Sequence, residues 1–134
     1  MYKIQEIVKL HNTDAAGIMF FGNYLKVAHD IFERFMNEIG FSLEYIINQA
    51  DFLVVIAHSE CDYKKSLKLG EKFELRLSVT NIGGASFTLG YQFVNAQGEF
   101  AATAQTVHVV LDKAKQKTCA MPDGLKEKLK EYVN

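Results

Sequence analysis

The chain has 134 residues, 49% of them apolar, and a formal net charge of -1. That length and apolar share suit one domain, residues 1–134, with a packed core, and the near-neutral charge argues against a nucleic-acid binder, which is usually clearly basic. No apolar run is long enough to span a bilayer.

Tyr2 to Leu10 alternates apolar and polar residues and predicts a strand, not an export signal. His11 to Gly22 predicts a turn. From Asn23 to Ile39 apolar residues recur at helical spacing: Tyr24, Ala28, Ile31, Phe32, Phe35, Met36 and Ile39. Polar residues fill the other side, with Asp30 and Arg34 spaced as an i,i+4 ion pair. Gly40 supplies the stop, and Ser42 is placed to cap a short helix, Leu43 to Gln49. Phe52 to Ala57 predicts a buried strand that leads into Ser59–Tyr63, with Lys64, Lys65, Ser66 and Gly70 in a loop. Phe73, Leu75, Leu77 and Val79 alternate in the next strand, and Gly83-Gly84 marks a hairpin. Phe87, Leu89, Tyr91 and Phe93 alternate before a turn at Asn95-Ala96-Gln97-Gly98. Phe100 to Leu111 predicts a long strand, and Lys113 to Thr118 a hairpin arm. Pro122 and Asp123 open a last helix with the stripe Leu125, Leu129, Tyr132 and Val133. The order predicts an α+β fold, one long helix against an antiparallel sheet, with one sheet edge covered by a second copy. Cys61 and Cys119 are too few for a disulfide scaffold, which predicts free thiols in the cytoplasm.

The chemistry concentrates between Asn12 and Tyr24. Asp14 lies in a short turn that runs into the long helix, and Gly17 and Gly22 let the backbone bend there. The helix start carries unpaired N–H groups, those of Phe21 and Gly22 among them. A carboxylate beside such donors can attack a carbonyl and steady the resulting oxyanion. An aspartate before a helix also serves as a plain turn-former or cap, so the residue types alone leave both roles open. His11, His29, His58 and His108 are scattered without metal-ligand spacing, and no metal site is expected. His29 reads as a residue at the edge of the core, and His58 and His108 as structural or interfacial. Phe20, Phe21, Tyr24 and Phe52 suit either a flat apolar slot or ordinary core.

The string Thr13-Asp14-Ala15-Ala16-Gly17-Ile18-Met19-Phe20-Phe21 resembles the D-T-D-A-A-G-x-x-(Y/F)-F pattern of hotdog-fold acyl-CoA thioesterases of the 4-hydroxybenzoyl-CoA thioesterase type. Val27-Ala28-His29-Asp30, His58-Ser59-Glu60-Cys61-Asp62-Tyr63, Ser86-Phe87-Thr88-Leu89 and Thr106-Val107-His108-Val109 extend the likeness over most of the chain. The nearest branch is that of the 1,4-dihydroxy-2-naphthoyl-CoA hydrolases of quinone synthesis. The resemblance implies a hotdog fold, a long central helix wrapped by a curved sheet of about five or six strands. It implies a homodimer or homotetramer with active sites at the dimer interface, a CoA thioester substrate, and no cofactor. Asp14 is then the catalytic carboxylate, and the Phe21 N–H, aided by the Gly22 N–H, the donor to the thioester oxygen. Substrate contacts are expected from Gly17, Phe20, Tyr24, His58, Tyr63, Lys64, Lys65 and Ser86. Lys68, Lys113, Lys115 and Lys117 are further cations within reach of CoA phosphates, unless merely solvated.

Three positions depart from the pattern. Asn12 replaces its first acid, Lys64-Lys65-Ser66 stands where a proline is frequent, and Phe21 stands where a sister branch linked to the Tol-Pal envelope system has histidine. The lack of that histidine favours the aromatic-acyl branch over short-chain, medium-chain or carrier-bound substrates. An enoyl-CoA hydratase-like enzyme would want a carboxylate–histidine pair, and no histidine follows Asp14 before His29. A non-catalytic acyl-CoA-binding module is the other alternative.

Overall fold

Helix α1 (Gly22–Glu38) decides the architecture, because one side of it is almost wholly apolar. Tyr24, Ala28, Ile31, Phe32, Phe35 and Met36 are buried along that side, and a stripe so wide needs a broad partner surface. The computed structural model, which describes residues 1–134, provides a six-stranded antiparallel sheet as that partner. In chain order the elements are β1 (Tyr2–Ile7), a single 3-10 turn (Leu10–Asn12), α1, α2 (Leu43–Asn48), β2 (Phe52–Tyr63), β3 (Lys72–Ile82), β4 (Ser86–Asn95), β5 (Phe100–Asp112), β6 (Lys117–Thr118) and α3 (Asp123–Lys130). The sheet runs β1-β3-β4-β5-β2, with β6 paired to the end of β5. The core joins the α1 stripe to Phe73, Leu75, Leu77 and Val79 of β3 and Phe87, Leu89, Tyr91 and Phe93 of β4. Their strict alternation puts each set on the helix side of the sheet.

Local signals place the joints. Gly40, at φ +87°, ends α1 in the left-handed region. Ser42 Oγ accepts from Tyr45 N–H at 3.1 Å and caps α2. Lys113 Nζ donates to the carbonyls of Ile46 and Ile47 at 2.7 and 3.0 Å, at the C-terminal end of α2, where a cation meets the helix dipole favourably. Lys113 therefore has a structural task, which removes it as a free cation for phosphate.

Three local expectations need correction. The run from Phe52 to Ala57 is not buried throughout: Val55 and Ile56 are 37% and 48% exposed. The reason is position, since β2 is the outermost strand on its side and has a paired neighbour, β5, on one flank only. Asp30 and Arg34 do not pair; Arg34 Nη2 lies 3.4 Å from Glu6 Oε1 on β1 instead. The last helix stops at Lys130, short of Tyr132 and Val133. Tyr132 O then accepts from Val79 N–H at 3.0 Å and ties the tail to β3. No helix is long and apolar enough to cross a membrane.

Candidate active site

The turn between β1 and α1 is tied at both ends. Asn12, only 9% exposed, is its hub: its carbonyl accepts from Phe20 N–H at 2.9 Å and from Asn23 Nδ2 at 2.8 Å. Its side-chain oxygen accepts from Lys9 N–H at 3.1 Å. Asp14 Oδ1 accepts from Ala16 N–H at 2.8 Å, an Asx turn, and Gly17 N–H returns to Asp14 O at 3.0 Å. Gly17 sits at φ +76°, which a side chain would strain. Met19 N–H donates to Leu67 O at 2.7 Å and Leu69 N–H to Gly17 O at 2.9 Å, so the loop before β3 braces this turn.

Beyond the turn the chain enters α1 with Phe21 already at helical angles, φ -55° and ψ -37°. The N–H groups of Phe21 and Gly22 have no backbone acceptor, as expected for the first turn of a helix. A cavity of about 410 Å³ opens here, lined by Asp14, Phe20, Phe21, Tyr24, Tyr63 and Lys64 together with Ile18, Met19, Lys65 and Ser66. The aromatic rings meet mostly by edges: Tyr24 with Tyr63 at 5.1 Å and Phe21 with Tyr63 at 6.3 Å between centroids. Tyr63 O–H donates to Phe21 O at 3.0 Å and fixes the strand β2 end against the helix start. Burial pushes the Tyr24 hydroxyl up to about 12, and burial likewise raises the Cys61 thiol. Neither is a ready nucleophile; Asp14 is the one carboxylate lining the cavity, beside the hydroxyls of Tyr24, Tyr63 and Ser66.

Most expected site residues lie together here, but not all. Gly17 shapes the turn from just outside, and Gly22 contributes backbone only. His58 does not line the cavity. A bulge between Ile56 and His58 pairs His58 with Val107, on the face of the sheet opposite to Thr106 and His108 and so away from α1. Its ring lies 3.7 Å from Glu60 instead. Ser86 is also absent; it opens β4 beside Val109, and its carbonyl accepts from Gly83 N–H at 2.7 Å in the hairpin. Lys65 is paired with Glu99, whereas Lys64 has no ion-pair partner. A second cleft of about 290 Å³ lies between β1 and α1, but its walls carry mixed charges, including the Glu6–Arg34 pair.

Residues 8–129 match the thioesterase-like superfamily. The chain belongs to that family. It is 27% identical over 127 residues to a 1,4-dihydroxy-2-naphthoyl-CoA hydrolase of Synechococcus elongatus, covering 94% of this chain and 93% of the relative. It is 30% identical over 118 residues to the hydrolase of the same name from Gloeothece citriformis, covering 87% and 82%. Among solved structures, a 1,4-dihydroxy-2-naphthoyl-CoA thioesterase from Synechocystis superposes with a TM-score of 0.91 at 24% identity, covering 97% of this chain and 96% of that one. The fold is thus the hotdog fold of this thioesterase family.

Two features of this thioesterase-family chain go beyond the sequence reading: the task of Asn12, and the depth at which His108, expected to be structural or interfacial, is buried. The first is Asn12, in the sequence only a departure from the pattern; its burial and four hydrogen bonds, one of them from its own N–H to Lys9 O at 2.8 Å, make it the clamp of the turn. The second is His108, 1% exposed and stacked between Phe32 and Phe87 at centroid distances of 4.4 and 4.9 Å. Its period-two neighbours on β5 were the available signal, since they placed it on the helix side. Burial, helped by His29 nearby, pushes the His108 pKa down from 6.5 to about 4. The folded state thus holds it neutral while the unfolded chain takes up a proton near pH 6.5. Stability is full above that pH and falls as pH drops toward 4, by about 3 kcal/mol from this group. Urea unfolding at pH 7.5 and pH 4.5 is expected to show the loss, and His108→Phe is expected to reduce it.

Proposed function

We propose that this protein is an acyl-CoA thioesterase, converting water and an aromatic acyl-CoA to the free acid and CoA, with Asp14 as its catalytic carboxylate. The observation that carries the reading is the shared cavity: Asp14 lines it, and α1 begins at its wall with the Phe21 and Gly22 N–H groups unpaired. The Asx turn occupies Asp14 Oδ1 and leaves Oδ2 for chemistry. Asp14 either attacks the acyl carbon, giving a mixed anhydride that water then opens, or takes a proton from the attacking water. In both routes the Phe21 N–H, with the Gly22 N–H beside it, receives the developing oxyanion, a donor worth about 3 kcal/mol of barrier. CoA leaves as a thiolate, which a good leaving group can do without a strong acid. No histidine lines the cavity, which disfavours hydratase chemistry.

The relatives' names make 1,4-dihydroxy-2-naphthoyl-CoA the first substrate to try, and the aromatic walls of Phe20, Phe21, Tyr24 and Tyr63 suit a planar acyl group. Lys64 is the cation best placed to meet a CoA phosphate. A screen of aroyl-, short- and long-chain CoA esters, read by thiol release, tests the assignment; fastest turnover on an alkyl ester would displace the aromatic substrate. The oxyanion donor in this scheme is a main-chain group. Phe21→Ala is therefore expected to raise KM, by loss of a wall, while lowering kcat by no more than about tenfold. A fall as deep as that of an Asp14 variant would move the task from the amide to the ring.

The protein is proposed to work as a homodimer, or as a tetramer built from such dimers. Strand β2 offers a twelve-residue edge with Val55 and Ile56 exposed, and long unpaired edges of this kind invite a second copy. Phe21 is 62% and Tyr63 49% exposed beside it, so the same partner would roof the cavity. Sedimentation is expected to give at least twice the 15.1 kDa chain mass; a monomer at micromolar concentration would remove this part. The free thiols Cys61 and Cys119 suit a reducing cytoplasm.

A further inference from the structure

A second, smaller cavity of about 110 Å³ lies on the seam between α1, β2 and β5, lined by Leu25, His29, Ile56, Ser59, Tyr91, Thr106 and His108. Its inner wall is unusual for a hydrophobic core. Tyr91, Thr106 and His108 are 2%, 6% and 1% exposed, and they form one hydrogen-bonded chain. Tyr91 Oη lies 2.8 Å from Thr106 Oγ1, which lies 2.7 Å from His108 Nε2. His108 Nδ1 is buried and has no protein partner. A buried polar atom left unpaired costs about 1–3 kcal/mol, and few are retained without a use.

The chain of bonds sets the polarity of that atom. The buried Tyr91 phenol has Thr106 as its one partner, and only by donating to it does the phenol O–H find an acceptor. With the phenol as donor, the Thr106 hydroxyl donates to Nε2, and the ring proton is assigned to Nδ1. The free position is a donor, and it calls for an oxygen.

The two cavities lie on one seam. Phe21 lines the first, and Leu25 and His29 line the second, one and two turns further along α1, roughly 6 and 12 Å away. On β2, Tyr63 lines the first and Ser59 the second, on the same face of the strand. An acyl group whose carbonyl sits at the Phe21 N–H, and whose body passes Leu25, directs its far end at this polar wall. An alkyl terminus there would leave Nδ1 unsatisfied. An aromatic ring bearing a distal oxygen would satisfy it.

We propose that the seam cavity is the distal end of the acyl pocket, and that His108, positioned by Thr106 and Tyr91, selects acyl groups carrying a ring oxygen by donating a hydrogen bond from Nδ1. This rests on the thioesterase reading above and adds to it the residue that reads the substrate. The test compares kcat/KM for 4-hydroxybenzoyl-CoA and benzoyl-CoA, by thiol release, in the wild type and three variants. The wild type is expected to favour the hydroxylated ester by about tenfold or more, within the range set by one buried hydrogen bond. His108→Phe, which keeps a ring between Phe32 and Phe87, is expected to abolish that preference. Thr106→Val, which keeps the shape and removes the bond to Nε2, is expected to weaken it, and it carries the test if His108→Phe does not fold. His108→Asn, which returns an amide near the Nδ1 position, is expected to recover part of the preference. A wild type that releases thiol from both esters at equal kcat/KM, or a preference that survives both His108→Phe and Thr106→Val, overturns the inference and leaves the thioesterase reading standing. Thiol release from neither ester, nor from any other in the screen, overturns both.

Discussion

Asp14→Ala is expected to lower kcat on the best CoA ester by about a thousandfold, some 4 kcal/mol of barrier. The side chain supplies either the nucleophile or the base in each route open to this cavity, and no other side chain there can replace it. Tyr24 is held protonated by burial, the Cys61 thiol is pushed up, and the Ser66 hydroxyl has no histidine in the cavity lining to activate it. The fold is expected to survive. Asp14 is exposed, and its one side-chain bond, to Ala16 N–H, is worth about 1 kcal/mol. Asp14→Asn sharpens the result, because the amide oxygen can still accept from Ala16 and keep the Asx turn while the charge is lost. Turnover of both variants, measured beside their melting curves, checks the claim; activity within tenfold of wild type in a folded Asp14→Ala protein would refute it.

Phe35→Ala carries the largest expected cost in stability, about 4 kcal/mol, or roughly 15 °C in melting temperature for a domain of this size. Phe35 is fully buried on α1. Its ring contacts Tyr2 of β1 at 6.0 Å and meets Tyr132 edge-on at 4.9 Å, so one side chain joins the helix to the first strand and to the tail. Truncation removes those contacts and leaves a cavity that the paired β1–β3 backbone cannot collapse to fill. Chemical unfolding monitored by circular dichroism measures it; a loss under 1.5 kcal/mol would mean that the surrounding side chains relax into the space.

Much of this architecture is legible in the residues, for identifiable reasons. The helix stripe from Tyr24 to Met36 and the alternation of β3 and β4 are direct records of burial on one face. The turn signals at Gly40, Ser42, Gly83-Gly84 and Asn95 mark joints, and at Gly40, with φ +87°, few other residues fit the backbone. The exposure of Val55 and Ile56 on β2 is not legible, because an apolar run looks the same in a central strand and in an edge strand. The bulge after Ile56 was invisible, and it is the bulge that turns His58 away from the helix. Spacing along one helix predicts Asp30 as the partner of Arg34, whereas Glu6, its partner on β1, is set by the fold and is not readable from spacing. In the site, the Asp14 turn could be read locally. The seam cavity could not, since Leu25, Ser59, Tyr91 and His108 come from four elements and converge only on folding.

The order of the sheet has a consequence for how the protein is made. Tyr2 pairs with Leu77, and β2 pairs with β5, whose last residue is Asp112. The bare greasy side of the first helix therefore leaves the ribosome long before the strands that will cover it. Such distant pairings close slowly, and synthesis at about 5–20 residues per second leaves that side uncovered for several seconds. Until β3 to β5 have emerged, that side is open to aggregation.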